Sequence, residues 1–228
     1  MGSDAPRPAL TVDVVVERLA ALDERIDSVS RAREQPITVT AVTKGFAADV
    51  IRVAADAGFS AVGENYAQEL LGKVDTLDAL GERRPTVEFI GRLQSNKVRQ
   101  LVDVVDLWAS VDRPSLVAEI AKRAPGARIL VQVNSTGEDG KGGCALGDTA
   151  ALVERAREAG LDVAGLMTVG PTGEPPEAAR PGFEAVRRLV DELGLEVCSM
   201  GMSGDIEVAV AAGSTNVRVG TALFGSRA

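Results

Sequence analysis

The sequence predicts a single α/β domain, a (β/α)8 barrel of the TIM type preceded by one helix, from three features. Eight short β-rich runs alternate with stretches of helical period, which favours a parallel sheet with right-handed crossovers. Eight such units suffice to close a barrel. The length of 228 residues suits one barrel, and no change in composition marks a linker. We therefore expect one domain over residues 1–228, with the leading helix at 10–33 and the barrel at 37–227.

The leading helix is predicted by apolar residues at three- and four-residue steps, separated by charged residues. These apolar residues are Val15, Leu19, Leu22, Ile26 and Val29. After Pro36 we place strands at residues 38–42, 61–64, 87–91, 107–111, 128–133, 163–169, 196–200 and 216–223. Between the strands, apolar residues recur at helical spacing. One of these patterns ends before Gly194, a residue type common at helix C-termini. Residues 171–181 are expected to form a loop of the sixth unit.

An open doubly wound sheet is the alternative architecture. It would place a Gly-x-Gly-x-x-Gly turn after the first strand. The turn found there is Thr43-Lys44-Gly45-Phe46, which does not match, so the closed barrel is favoured.

Composition excludes several classes of protein. The chain has no histidine, which excludes Ser-His-Asp and Cys-His nucleophile pairs and His-ligated zinc. Cys144 and Cys198 match neither a disulfide framework nor a metal-ligand spacing, and they suit a reducing compartment. A net charge of −8 argues against a general nucleic-acid binder. No apolar run reaches about 18 residues and no signal peptide is recognisable, so we expect a cytoplasmic protein outside the membrane.

One lysine stands where barrels place their chemistry. Only five of the 25 basic residues are lysines, and Lys44 directly follows the first strand. The C-terminal ends of the strands are where functional groups gather in a parallel barrel. A lysine that is desolvated or near other cations loses its proton more readily and attacks aldehydes. A solvated loop cation is the alternative role for Lys44.

The last two units have the features of a phosphate site. Barrels often bind phosphate with the loops after strands seven and eight. Here these loops hold Gly201, Ser203 and Gly204, and then Gly220 and Thr221. Glycines let backbone N–H groups approach an anion, and hydroxyls donate to it. Either loop alone is a weak signal because such residues also cap helices.

Two further polar side chains are expected at the barrel mouth. Arg218 alternates with Val217 and Val219 in the last strand, so it should point inward. It would donate there to a ligand heteroatom or form a salt bridge with a carboxylate such as Glu64, because an unpaired buried cation is costly. Asn65 ends the second strand and offers an amide to a ring substituent. An aldehyde-capturing lysine, a phosphate cup and an inward arginine together suggest pyridoxal 5′-phosphate (PLP) as cofactor.

Five ordered blocks of this sequence resemble the pyridoxal phosphate homeostasis protein family. They are residues 41–44, 63–69, 89–97, 199–203 and 218–225, and the likeness extends from residue 10 to residue 227. The resemblance implies a PLP Schiff base on Lys44, with Asn65 near the ring and Arg218 near the pyridine nitrogen. It implies phosphate contacts from three residues: Ser203, Gly220 and Thr221.

The resemblance also implies a monomeric cytosolic protein that acts in vitamin B6 and amino-acid homeostasis without established turnover. Apo forms of PLP-dependent enzymes are the partners that would receive PLP. The family usually has a histidine where this chain has Glu88, and a proline where it has Ala47. Neither position is expected to touch the residues assigned to PLP.

The residues favour a carrier over a catalyst. Arginine only donates hydrogen bonds, so Arg218 would hold the pyridine nitrogen unprotonated and weaken the electron sink that PLP enzymes use. The sink is weakened but not abolished, because alanine racemases of the same barrel type also use an arginine. The similar racemases carry a second β-domain and a tyrosine base, whereas this chain ends after the barrel and has one tyrosine, Tyr66, expected to pack or touch the ring edge. A racemase-like PLP enzyme, a cofactor-free Schiff-base aldolase and a protein–protein adaptor are the alternative functions.

A glycine-rich loop, residues 137–143, follows the fifth strand and contains Lys141. Its place at the barrel mouth suggests the hypothesis that Lys141 moves over the site and assists PLP release. A solvated flexible loop is the alternative.

Overall fold

A computed structural model describes residues 10–30 and 36–226 of the chain. Helix α1 spans Val12–Val29, and the hydroxyl oxygen of Thr11 accepts the N–H of Val14 at its start. One face of the helix is buried, as its periodicity predicts. Three sets of predicted positions lie outside the described residues: 1–9, the helix end at 31–33, and the barrel end at 227.

Eight parallel strands close into a barrel, which confirms the predicted fold class. The barrel strands are β1 Thr38–Val42, β2 Ala61–Glu64, β3 Thr86–Phe89, β4 Leu107–Val111, β5 Arg128–Asn134, β7 Asp162–Met167, β8 Val197–Ser199 and β9 Asn216–Val219. A two-residue strand, β6 Cys144–Ala145, pairs with the end of β5. The ring closes where Thr38 of β1 pairs with Asn216 of β9. Closure pairs each barrel strand on both sides.

Helices follow the strands on the outside. They are α2 Asp49–Asp56, α3 Ala67–Leu71, α4 Val74–Asp78, α5 Val98–Leu101, α6 Pro114–Arg123, α7 Thr149–Glu158, α8 Arg180–Glu192, α9 Ile206–Ala211 and α10 Thr221–Phe224. Helix α8 stops just before Gly194, whose φ of +61° agrees with the predicted helix end. The helix after β2 is broken into α3 and α4 between Leu71 and Val74.

Two predicted boundaries were wrong. The last strand ends at Val219, because the N–H groups of Leu223 and Phe224 bond back to the carbonyl of Gly220 and start α10. Residues 171–181 are not a loop throughout, since they contain a 3-10 turn, Pro176–Ala179, and the first residues of α8. In both places local backbone hydrogen bonds decide the structure, and the apolar pattern does not show them.

The barrel interior has an apolar and a polar side. Inward side chains of β4, β5 and β7 form a small apolar cluster: Ala109, Leu130, Ala164 and Met167. Inward side chains of the strands opposite are polar and also buried: Thr40, Glu88, Ser199, Asn216 and Arg218. Outward side chains such as Val217 and Val219 join the larger core under the helices. The alternation of each strand thus directs the polar groups into the barrel.

Across residues 10–30 and 36–226, no helix combines the length and the hydropathy needed to cross a bilayer.

Candidate functional site

A cavity of about 220 Å³ opens at the C-terminal ends of β1 and β9. Five of the six residues assigned to PLP from the sequence line it together: Lys44, Ser203, Arg218, Gly220 and Thr221. Val42, Ile90, Met202 and Gly204 complete the lining. The sixth residue, Asn65, lines a different cavity. The fold therefore places the amine of strand one, the inward arginine and the two glycine-containing loops around one space, which we call the Lys44 cavity.

A buried lysine that sequence reasoning missed fixes the turn carrying Lys44. The ammonium of Lys73 lies between α3 and α4 and is only 3% exposed. It donates to the carbonyl oxygen of Thr43 at 2.9 Å and to Oε1 of Glu64 at 2.6 Å. It also contacts Oε1 of Glu69, and the same oxygen accepts the N–H of Gly45 at 2.6 Å. The residues before and after Lys44 are thus held by one cluster.

The Lys73 cluster contains one cation and two carboxylates. The hydroxyl of Thr43 donates to Glu64 at 2.7 Å, and Oε2 of Glu64 is buried without a hydrogen-bond partner among the described residues. Burial, more than any other cause, raises the pKa of Glu64. The rarity of lysine in the chain and the four-residue spacing of Glu69 and Lys73 are the sequence signals that could have found this cluster.

Arg218 is buried inside the barrel and is held in one orientation. Its Nη1 donates to Oγ of Ser199 at 2.6 Å, and its Nη2 donates to the carbonyl oxygen of Thr168 at 2.7 Å. Burial lowers the pKa of Arg218 to about 10, so the guanidinium stays charged at neutral pH. The alternative predicted from the sequence, a salt bridge with Glu64, is wrong because Glu64 is paired with Lys73.

A chain of hydrogen bonds runs from Arg218 across the barrel to Glu88. Ser199 accepts from Arg218 and donates to Oδ1 of Asn216 at 2.6 Å. Nδ2 of Asn216 donates to Oγ1 of Thr40 at 2.8 Å, and that hydroxyl donates to Oε2 of Glu88 at 3.0 Å. Every bond points from the cation toward the carboxylate, so each one polarises the next. Glu88 therefore does not contact Arg218 but is connected to it.

Burial raises the pKa of Glu88 to about 7, against the opposing effects of the Thr40 hydrogen bond and the charge of Arg218. The carboxyl group thus changes its charge near neutral pH. Glu88, which stands where the family usually has a histidine, therefore contributes to the electrostatics of the site, although it does not line the Lys44 cavity.

The two loops of the predicted phosphate site are joined to each other and to helix α1. The N–H of Ala222 donates to Oγ of Ser203 at 3.4 Å, which links the loop after β8 to the start of α10. Arg25 of α1 donates to the carbonyl oxygen of Ser203 at 3.2 Å. A Cβ on Gly220 would lie 3.1 Å from the carbonyl oxygen of Val42, so the close approach of β9 to β1 favours glycine there.

Neither Lys141 nor Tyr66 lines the Lys44 cavity. The ammonium of Lys141 donates to Oε1 of Glu138 at 2.9 Å and to the carbonyl oxygen of Gly170 at 2.5 Å. The hypothesis that Lys141 moves over the site therefore requires both bonds to break, and it stays a prediction. Tyr66 is 58% exposed and lines the same cavity as Asn65, so it is not a packed side chain, and its contact with the ring edge stays a prediction.

Replacing Lys73 by methionine tests the cluster. Lys73→Met leaves the Glu64 carboxyl buried without its cation, and we expect the free energy of unfolding to fall by about 3 kcal/mol. Urea denaturation measures the change. Lys122→Met, at an exposed lysine of α6, is the matched control and should change stability by less than about 0.5 kcal/mol. If the two variants were equally stable, the Lys73 cluster would not stabilise the fold.

Glu88→Gln tests the raised pKa of Glu88. In the unfolded chain this carboxyl ionises near its usual pKa of 4.5, whereas in the fold its pKa is about 7. The folded state holds the proton more tightly, so the wild type should lose roughly 2–3 kcal/mol of stability relative to Glu88→Gln between about pH 5 and about pH 8. Denaturant unfolding across this range measures the difference.

The exposed Glu158→Gln, on α7, is the control for Glu88→Gln. Its stability should follow that of the wild type at each pH. A constant difference between wild type and Glu88→Gln over the whole range would disprove the raised pKa.

Comparisons with known proteins agree with the architecture and show the family of the chain. The family model described as the alanine racemase N-terminal domain matches residues 18–228. The pyridoxal phosphate homeostasis protein of Aquifex aeolicus (strain VF5) is 40% identical over 225 residues, covering 92% of this chain and 97% of that protein. Its namesake from Pseudomonas aeruginosa is 38% identical over 227 residues, covering 95% and 97%.

Solved structures of similar proteins have the same barrel fold. PipY of Synechococcus elongatus PCC7942, solved with PLP bound, has a TM-score of 0.77 and 31% identity, covering 92% of this chain and 100% of PipY. An alanine racemase from Clostridium difficile 630 has a TM-score of 0.75, but at 14% identity and 58% coverage of that enzyme it shares the fold alone. The chain therefore belongs to the pyridoxal phosphate homeostasis protein family.

Proposed function

We propose that this chain binds PLP as a Schiff base on Lys44 and acts in intracellular vitamin B6 and amino-acid homeostasis as a carrier. The main support is the Lys44 cavity, which joins a lysine to the two loops where barrels often hold phosphate. The full-length relatives are named pyridoxal phosphate homeostasis proteins, and PipY was solved with PLP bound.

The residues around the cavity fit the chemical groups of PLP. The amine of Lys44 suits the aldehyde, because an amine and an aldehyde condense with loss of water to a Schiff base. The hydroxyls of Ser203 and Thr221 and the backbone of Gly220 suit the phosphate. The guanidinium of Arg218, which lines the cavity, suits the pyridine nitrogen as a hydrogen-bond donor. The role of Asn65 near the ring rests on the family resemblance alone.

Binding without turnover is supported by the ionisable groups at the site. When bound, PLP supplies an electron sink that is stronger with its pyridine nitrogen protonated. Arg218 has only protons to donate, so it would leave that nitrogen unprotonated and the electron sink weaker. Lys44 and Arg218 are the two ionisable residues in the described lining of the cavity. A racemase needs an acid or base on each face of its substrate, and Tyr66 belongs to a different cavity.

We expect the protein to act in the cytoplasm as a monomer. Apo PLP-dependent enzymes are the proposed recipients of the cofactor.

Lys44→Ala tests the Schiff base. The wild type, saturated with PLP, should show a visible absorption band that borohydride bleaches, and the variant should lack this band. Mass spectrometry of the reduced wild type should locate the added mass on Lys44. Lys122→Ala, at an exposed lysine, is the control and should keep the band. A bleachable band in Lys44→Ala, or the mass on another lysine, would refute the assignment.

Turnover assays test the absence of catalysis. The PLP-loaded protein should not interconvert L-alanine and D-alanine above the rate of free PLP. Sustained racemisation that disappears in Lys44→Ala would establish the racemase-like alternative. A colourless protein whose Lys44 is trapped with a sugar aldehyde by borohydride would instead favour the aldolase.

A further inference from the structure

Glu88 lies in the layer of side chains beneath the Lys44 cavity. Its neighbours Val87 and Phe89 belong to the core outside the barrel sheet, so the side chain of Glu88 points into the barrel. Ile90, the next inward residue, lines the Lys44 cavity. The buried carboxyl group of Glu88 is therefore one layer of side chains away from the space where PLP is proposed to bind.

The polar side of the barrel interior holds one buried acid and one buried base. Among the described residues, four buried side chains are of the Asp, Glu, Lys or Arg type: Glu64, Lys73, Glu88 and Arg218. Glu64 and Lys73 pair with each other. The interior charge thus depends on Glu88 and Arg218, and it is zero when Glu88 is ionised and +1 when Glu88 is protonated.

The hydrogen-bonded chain connects Glu88 to a residue that lines the cavity. Its four bonds measure 2.6–3.0 Å and join the carboxyl group, in order, to Thr40, Asn216, Ser199 and Arg218. An ionised Glu88 attracts the hydroxyl proton of Thr40, and this polarisation continues along the chain. Arg218, which lines the cavity, then exerts less positive charge there than when Glu88 is neutral.

Other groups around Arg218 act on it more weakly than Glu88. Burial lowers the pKa of Arg218, and Glu88, Asp205 and Cys198 oppose this effect in decreasing order. Asp205 lies at the start of α9. The interior cluster on β4, β5 and β7 consists of apolar side chains, and β2 pairs with Glu88 through Gly63, which has no side chain. Glu88 is therefore the carboxyl group that controls the charge around Arg218 most strongly.

We propose that Glu88 adjusts the affinity of the site for PLP: the protonated carboxyl group favours bound PLP, and the ionised group disfavours it. A phosphate group carries a charge of about −1.5 to −2 at neutral pH. A negative charge in the barrel interior repels this anion and weakens the field of Arg218. By linkage, PLP that binds makes Glu88 take up protons. The inference rests on the proposed binding of PLP in the Lys44 cavity.

Glu88 titrates in a range where this coupling can be measured. Its pKa is about 7, chiefly because of burial, and a nearby bound anion raises the pKa of a carboxyl group further. Well below this range Glu88 is protonated in the free and the bound protein, so PLP binds with its higher affinity. Above the raised pKa Glu88 is ionised in both, so PLP binds with its lower affinity.

Glu88→Gln tests the proposal by equilibrium dialysis against PLP. The amide of glutamine is neutral at every pH and still accepts from Thr40. The ratio of wild-type affinity to variant affinity should fall about fivefold between about pH 5.5 and about pH 8.5, a coupling typical of two interacting sites. PLP and Lys44 also change their charge with pH, but they do so in both proteins, so the ratio isolates Glu88. A ratio that stays constant overturns the proposal.

Proton uptake provides a second readout. Calorimetric titration with PLP near about pH 7.5, in two buffers of different ionisation enthalpy, reports how many protons the protein takes up on binding. The wild type should take up more protons than Glu88→Gln, because only the wild type has a carboxyl group whose pKa rises. Equal uptake by the two proteins also overturns the proposal.

Thr40→Val tests the hydrogen-bonded chain. The hydrogen bond from Thr40 lowers the pKa of Glu88, so its loss should move the midpoint of the change in PLP affinity to higher pH. Ser110→Ala removes a buried hydroxyl of β4 outside the chain and should keep the wild-type midpoint. A midpoint that does not move in Thr40→Val overturns the proposal. If Thr40→Val does not fold, the pH dependence of Glu88→Gln decides.

Borohydride reduction separates this inference from the proposed function. Glu88→Gln should still form the Schiff base, with the added mass on Lys44. A wild type that binds no PLP, or that carries the mass on another lysine, refutes the proposed function. A Schiff base on Lys44 in both proteins, together with a constant affinity ratio, refutes the role of Glu88 alone.

Discussion

The buried ammonium of Lys73 is the interaction on which the geometry around Lys44 depends. Barrel closure brings the end of β1 beside β9, but closure alone does not orient the turn that follows. Lys73 holds Thr43 directly and Gly45 through Glu69. A buried charged cluster stabilises only when all its partners are present. The residues on both sides of Lys44 are therefore held by one set of buried partners.

The division of the barrel interior gives the site its electrostatic character. On the side of β4, β5 and β7 the interior is filled by apolar side chains. On the opposite side a continuous hydrogen-bonded chain joins Arg218 to Glu88. Since a buried cation needs partners, this chain keeps Arg218 charged and oriented. The same burial that lowers the pKa of Arg218 raises that of Glu88.

Helix α1 supports the loops at the phosphate end of the cavity. Arg18 donates to the carbonyl oxygen of Leu223 in α10, and Arg25 donates to that of Ser203 and pairs with Glu207 in α9. The helix precedes the barrel in the chain but contacts its last two units. Its role is thus to position the loops around Ser203 and Thr221.

The sequence alone determined the barrel and the residues around the Lys44 cavity, because strand alternation and the order of elements are local properties of the chain. Local patterns did not reveal the Lys73 cluster, the link from Glu88 to Arg218, or the place of Asn65 in a second cavity. Each of these joins residues on different strands or helices. Only the tertiary structure decided them, since a buried polar group takes whichever partner the folded chain brings within hydrogen-bond distance.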